Sequence, residues 1–261
     1  MKKYELVTEL SEVFFGKTLF PIRALVSFGD VTAGDFGGWV ETEKNLSHDD
    51  NAWISGEARV FGEARVYGNA WISGEARISG EARVYGEAWV FGEARVSGEA
   101  WVYGEARVFG GARVSGEAWV FGEAQVSGEA QVSGNAWVSG GARVSGEAQV
   151  YGNAWVYGGA RVSGEAQVYG NAWVYGEARV FGGARVSGEA HYITVGPIGS
   201  EGGALTAFRQ RDNSIMVRHG CFSGTIEEFA EAVRKHHGGT HYADEYEIVI
   251  KLIETRLMEV D

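Results

Sequence analysis

Catalysis needs a base, a nucleophile or a cluster of metal donors at short range, and this sequence is poor in all three. Histidine, the side chain best suited to move a proton near neutral pH, is missing from the whole stretch between Ala52 and Ala190. His191 follows that stretch without an identifiable partner, which suits a structural or surface role better than a general base. His236, His237, His241 and Asp244 lie close together, yet their spacing matches no metal-ligand signature, and a solvated helix end accounts for them. Cys221, the single cysteine, sits between Gly220 and Phe222 in a strand-like run, where a small buried side chain is expected rather than a reactive thiol. Gly-x-x-Gly matches abound, but none opens a helix, so they do not mark phosphate binding. The reading is a non-enzymatic protein with no catalytic residue, no metal site and no cofactor.

Aromatic side chains offer a different chemistry, recognition by burial, and their spacing is regular. Trp101, Trp119, Trp137, Trp155 and Trp173 recur every 18 residues, and so do Tyr67, Tyr85, Tyr103, Phe121, Ser139, Tyr157 and Tyr175. A Trp can bury roughly 150 to 250 Å², so five in line exceed the few hundred Å² at which an exposed apolar patch usually marks a binding site. The candidate binding residues are therefore the five tryptophans with Tyr103, Phe121, Tyr157 and Tyr175. The competing account is that in-register aromatics only strengthen the packing of one strand on the next.

A repeat must place these residues. From Asn51 to His191 the pattern Gly-[Glu/Asn/Gly]-Ala-[Arg/Trp/Gln]-[Val/Ile]-[Ser/Tyr/Phe] recurs, with Ala at 52, 58, 64 and every sixth position to 190, 24 places in all. Alternation of a small apolar with a polar residue describes a short strand with Ala and Val inward and two residues outward. The Gly that opens each corner can adopt the backbone angles of a sharp bend. Three such sides close a coil of 18 residues, and the 24 units give about eight triangular coils, a prism roughly 38 Å long at the usual strand spacing.

The first outward position then falls into three columns. One runs Trp53, Trp71, Trp89, Arg107, Gln125, Arg143, Arg161, Arg179; the second Arg59, Arg77, Arg95, Arg113, Gln131, Gln149, Gln167, Arg185. The third holds Arg65, Arg83, the five ladder tryptophans and His191. Stacked arginines repel, and Glu57, Glu75 and Glu93 at adjacent corners are expected to neutralise the second column.

Both ends break the pattern. Residues 1–50 carry strand-like runs such as KTLFPIRALVSF, and GGWVETEKNLSHDDNAWI reads as an irregular first coil, so this part should cap the prism. Residues 51–191 form the β-helix and residues 192–261 a separate small module. In that module ALTAFRQ and SIMVRHGCF form a hairpin through Arg211, Asp212 and Asn213. Thr225 and Glu228 open a helix through about His237, and a second helix runs from about Tyr242 to Met258. The fold class is mainly β: a parallel β-helix with an N-terminal β cap and a C-terminal ββαα module.

Lines such as GEARVYGNAWISGEARISG resemble the left-handed β-helix of hexapeptide-repeat proteins, and the left hand is implied by that resemblance. Many relatives of this type are acyltransferases, trimers with a histidine base on a coil and loops that hold an acyl donor. The present sequence departs from them, since Ala52 to Ala190 contains neither histidine nor loop insertion. The tail, with ITVGPIGS, LTAFR and GCFSGTIEEF, resembles a module that bacteriophage and prophage proteins append to repeat regions. That resemblance implies a phage origin and a place in the host cytoplasm without naming a reaction.

Composition narrows the partners. The net charge of −12 is spread evenly with no basic patch, which argues against nucleic acid. The start MKKYELVTEL lacks the apolar run of a signal peptide or membrane helix, so a soluble cytoplasmic protein without membrane contact is expected. The expected partners are a second copy of the chain or a host protein on the aromatic face. The alternative is a sugar or small cyclic ligand stacked on the aromatics, including a host defence signal held out of reach.

Overall fold

The computed structural model describes residues 2–188 and 191–258. Four strands, β1 (Tyr4–Leu6), β2 (Glu12–Phe14), β3 (Lys17–Ala24) and β4 (Phe36–Val40), precede a run of two-residue strands, β5 to β27, from Trp53–Ile54 to Arg185–Val186. These short strands pair in parallel with the strand 18 residues away and make three sheets, the sides of an eight-turn β-solenoid. Every described Ala and Val of the repeat is fully buried, while the residue between them faces outward. Ala190, the last alanine of the repeat, lies outside the described residues.

The coil repeats because backbone hydrogen bonds tie each strand to the next coil. Trp119 N–H donates to Ala136 C=O at 2.9 Å and Phe121 N–H to Val138 C=O at 3.0 Å, and the same pair of bonds recurs along the prism. Corner glycines make the bend: Gly104 sits at φ 70°, and a Cβ there would stand 2.9 Å from the backbone nitrogen of Gly122 one coil on. An L side chain would suffer both from the backbone angle and from the neighbouring coil.

The entry coil is two residues longer than the rest. Val40 pairs with Val60 and Leu46 with Val66, each 20 residues away, before Ile54 meets Ile72 at 18. Strands β1 and β3 extend the side that β4 begins, so the first coil does not end on a bare edge. Tyr4 is buried and donates its hydroxyl to Leu46 C=O at 2.7 Å, and buried Lys3 donates its ammonium to Ala52 C=O at 2.9 Å. Trp53, placed by the repeat on an outer column, is covered by this cap and packs edge-on against Phe28 at 5.5 Å.

At the far end four antiparallel strands and two helices close the solenoid. They are β28 (Tyr192–Ile198), β29 (Gly203–Arg209), β30 (Ile215–His219), β31 (Phe222–Thr225), α1 (Ile226–His237) and α2 (His241–Met258). Hairpin and helices fall where the sequence puts them, and Thr225 with Glu228 forms the capping box. The ββαα reading missed β28 and β31, so the module is ββββαα. The sheet alternates: Tyr192 and Phe208 join the solenoid core, whereas Leu205, Ala207, Ile215 and Val217 pack under the helices. The module is thus a plug for the last coil as well as a small domain.

Two outcomes follow. Val132 is fully buried and Gln131 exposed on the same strand, so Val132→Asp should cost more than about 3 kcal/mol and Gln131→Glu less than about 0.5; equal shifts in melting temperature would contradict the strand phase. Burial holds the Lys3 ammonium down from 10.5 to about 8 against the opposing pull of Asp50 and Asp49. Between those values the unfolded chain binds the extra proton, so stability should rise with pH. Above about 10 it should fall, because burial keeps the Tyr4 phenol protonated when the unfolded one ionises. Urea midpoints from pH 7.5 upward in wild type and Lys3→Met check this, and the rise should vanish in the variant.

Candidate functional site

The ladder tryptophans stand on one side of the solenoid, in register and in contact. Trp101 and Trp119 stack at 5.0 Å between ring centroids, Trp119 and Trp137 at 5.0 Å, Trp137 and Trp155 at 4.7 Å, and Trp155 and Trp173 at 5.2 Å. These spacings follow the distance between hydrogen-bonded strands, about 4.8 Å. The backbone therefore sets the pitch and the indoles adopt it.

Beside them the second column stacks in the same way, Tyr67 on Tyr85 at 4.8 Å, Tyr85 on Tyr103 at 4.9 Å and Tyr103 on Phe121 at 5.0 Å. Ser139 interrupts it, and Tyr157 with Tyr175 resumes at 5.3 Å. The two columns also interlock. Tyr85 meets Trp101 edge-on at 6.0 Å, Tyr103 meets Trp119 at 6.1 Å and Phe121 meets Trp137 at 5.9 Å. Such pairs contribute about 0.5–1.5 kcal/mol each, so the ladder stiffens the side on which it lies.

Two consequences govern what this side can bind. Each inner indole has a ring on both faces, so it offers its edge outward and a sugar could stack only at an end of the column. From Trp101 to Tyr175 the two outward positions of this side carry no ionisable group other than tyrosine, and burial pushes the phenols of Tyr67, Tyr85 and Tyr103 above their ordinary range. At the start of the column the Arg83 guanidinium lies 4.7 Å over the Trp101 ring, a closure that the spacing of residue types alone did not reveal. At the other end Trp173 is 40% and Tyr175 50% exposed.

Several sequence expectations need correction. His191 does not extend the third column. That sheet ends at Trp173–Val174, and the chain turns into β28. The Nδ1 of His191 lies 2.9 Å from Ser187 Oγ, and burial followed by Arg209 lowers its pKa, favouring the neutral ring. The same nitrogen accepts the Ser187 N–H at 3.3 Å, so the contact ties the last turn together. Cys221 is exposed, not buried. Strand β30 stops at His219, and Gly220 at φ 54° turns the chain outward before Phe222 re-enters. The Arg column is not paired with corner glutamates throughout. Among the described residues its ion pairs gather at Arg59, whose Nε lies 2.5 Å from Glu12 of the cap and whose Nη2 lies 3.7 Å from Glu57.

His236 and His237 close the C-terminal end of α1, as the sequence places them, with His236 exposed, and both border a cleft of about 380 Å³ with His219, Cys221, Phe229 and Tyr246. His219 Nε2 is 2.9 Å from the Tyr246 hydroxyl, a buried pair within the module's own core. Among the described residues no three or more His, Cys, Asp or Glu side chains gather into a metal-binding group. Nor is any described helix long and apolar enough to cross a membrane.

Comparison with known proteins agrees with this architecture. The family described as YdcK beta solenoid repeat matches residues 58–74, 130–146 and 148–164, about a fifth of the chain, all of it within the regular coils. The chain is a repeat β-solenoid protein similar to that family over those segments. No curated protein matches it.

With no histidine on the regular coils and His191 engaged by its own turn, acetyl-CoA mixed with a panel of amines and alcohols should yield no transfer product. Turnover that is lost on His191→Ala would contradict this reading.

Proposed function

We propose that this protein is a non-enzymatic interaction scaffold whose Trp/Tyr side meets a second copy of itself or a host protein. One observation carries the reading: among the described residues only one side of the prism stacks five tryptophans in line. All three sides have the same strand spacing and the same Ala/Val interior, and from the fourth coil onward the other two carry Arg and Gln at the equivalent position. Coil-on-coil cohesion therefore does not require tryptophan there. A mainly aromatic strip about 20 Å long, by four strand spacings, and two side chains wide is instead suited to excluding water against another surface. The likeness of the tail to phage and prophage modules favours a host protein as partner, including a component of host defence, and a place in the host cytoplasm.

The test is to replace Trp119, Trp137 and Trp155 together by Gln, which the repeat already uses at Gln125, Gln131, Gln149 and Gln167. The side chains lie outside the Val/Ala core, so β-sheet circular dichroism should persist while the assembly measured by light scattering shrinks or a captured partner is lost. Unchanged mass and capture with a sharply lower melting temperature would make the ladder a device for stability alone.

A further inference from the structure

We infer that the open end of the aromatic ladder is a carbohydrate site, in which a neutral pyranose ring stacks on the uncovered face of Trp173. This holds independently of whether the flat side of the ladder meets a partner.

The first support is an asymmetry between the two ends of the column. Trp119, Trp137 and Trp155 each have an indole on both faces, and at the first rung Arg83 covers the outer face of Trp101. At the last rung no ring or guanidinium among the described residues stacks beyond Trp173, which is 40% exposed where the earlier four are half-buried. Among the described residues no strand adds a sixth rung beyond Trp173, because β28 leaves the sheet instead of joining it.

The second support is the cleft that this departure builds. It measures about 620 Å³ and is bordered by Tyr157, Trp173, Tyr175, Tyr192, Thr194 and Arg256, a size within the range of small-molecule sites. Tyr192 meets Tyr175 edge-on at 6.3 Å, so this pair encloses the site beside the bare indole.

The lining selects the chemistry. The phenols of Tyr157 and Tyr175, which border the cleft, can each donate and accept. A ring with an apolar face and hydroxyls around its rim satisfies both the indole and these groups. A purely apolar planar ring would bury the hydroxyls unpaired, and a net charge of −12 repels anionic ligands on approach.

Saturation-transfer NMR and tryptophan fluorescence with methyl glucopyranoside, methyl mannopyranoside and methyl N-acetylglucosaminide test the site, with adenosine as the planar comparator. At least one glycoside should bind with Kd about 10 mM or tighter. Trp173→Ala should weaken that binding at least tenfold with circular dichroism unchanged, Trp173→Phe should retain it, and Trp101→Ala should leave it intact. Glycoside binding that survives in the Trp119/Trp137/Trp155 Gln variant separates this site from the association surface. The inference is overturned if no glycoside binds, if binding is indifferent to Trp173→Ala, or if adenosine alone binds.

Discussion

Everything in this protein depends on the fixed distance between one coil and the next. Parallel strands joined by hydrogen bonds of about 2.9 Å must lie one strand spacing apart, and an 18-residue coil brings each side chain back onto its own kind. Inside the prism this stacks Val on Val or Ile, with the alanines buried beside them. Outside it turns sequence periodicity into columns, so each side of the solenoid inherits a uniform character: aromatic, arginine-rich or mixed. The function proposed for the aromatic side is a consequence of that geometry.

The ends of such a solid are its weak points, because an open coil exposes unpaired strand edges. Different solutions serve the two ends. At the entry, antiparallel strands extend one side of the prism, a longer coil leads into the regular pitch, and Lys3 and Tyr4 bind the carbonyl groups of residues 46–52. At the exit, a sheet is laid across the last coil with Phe208 and Tyr192 entering the core. That exit sheet does not continue the columns, which is why the aromatic ladder stops at Trp173, 40% exposed beside a cleft.

The regular coils were legible because one rule, six residues with two inward, repeats without exception from Ala52 onward. The aromatic columns followed from that rule alone. What was not legible depended on contacts between non-repeating parts. Trp53 looks like any outward tryptophan until Phe28 and Tyr4 are folded over it. The strands flanking the hairpin were hidden by Gly196 and Pro197 in one and by the shortness of Phe222–Thr225 in the other. Cys221 seemed to lie in a strand because the run of apolar residues continues past Gly220, where the backbone in fact turns. The interlocking of tyrosines with tryptophans of the next coil needed ring orientations that spacing does not contain.

The central claim, that one side of this solenoid is built to be covered, is tested most directly by oxidative footprinting of the tryptophans. The protein should be labelled dilute, concentrated, and in a bacterial lysate, with oxidation read residue by residue. Trp89, 51% exposed on a different side, is the internal reference. Trp119, Trp137 and Trp155 should become protected in the concentrated sample or the lysate while Trp89 continues to oxidise at its dilute rate. Protection of Trp89 alone, or ladder tryptophans that oxidise at the same rate in all three samples, would contradict the account.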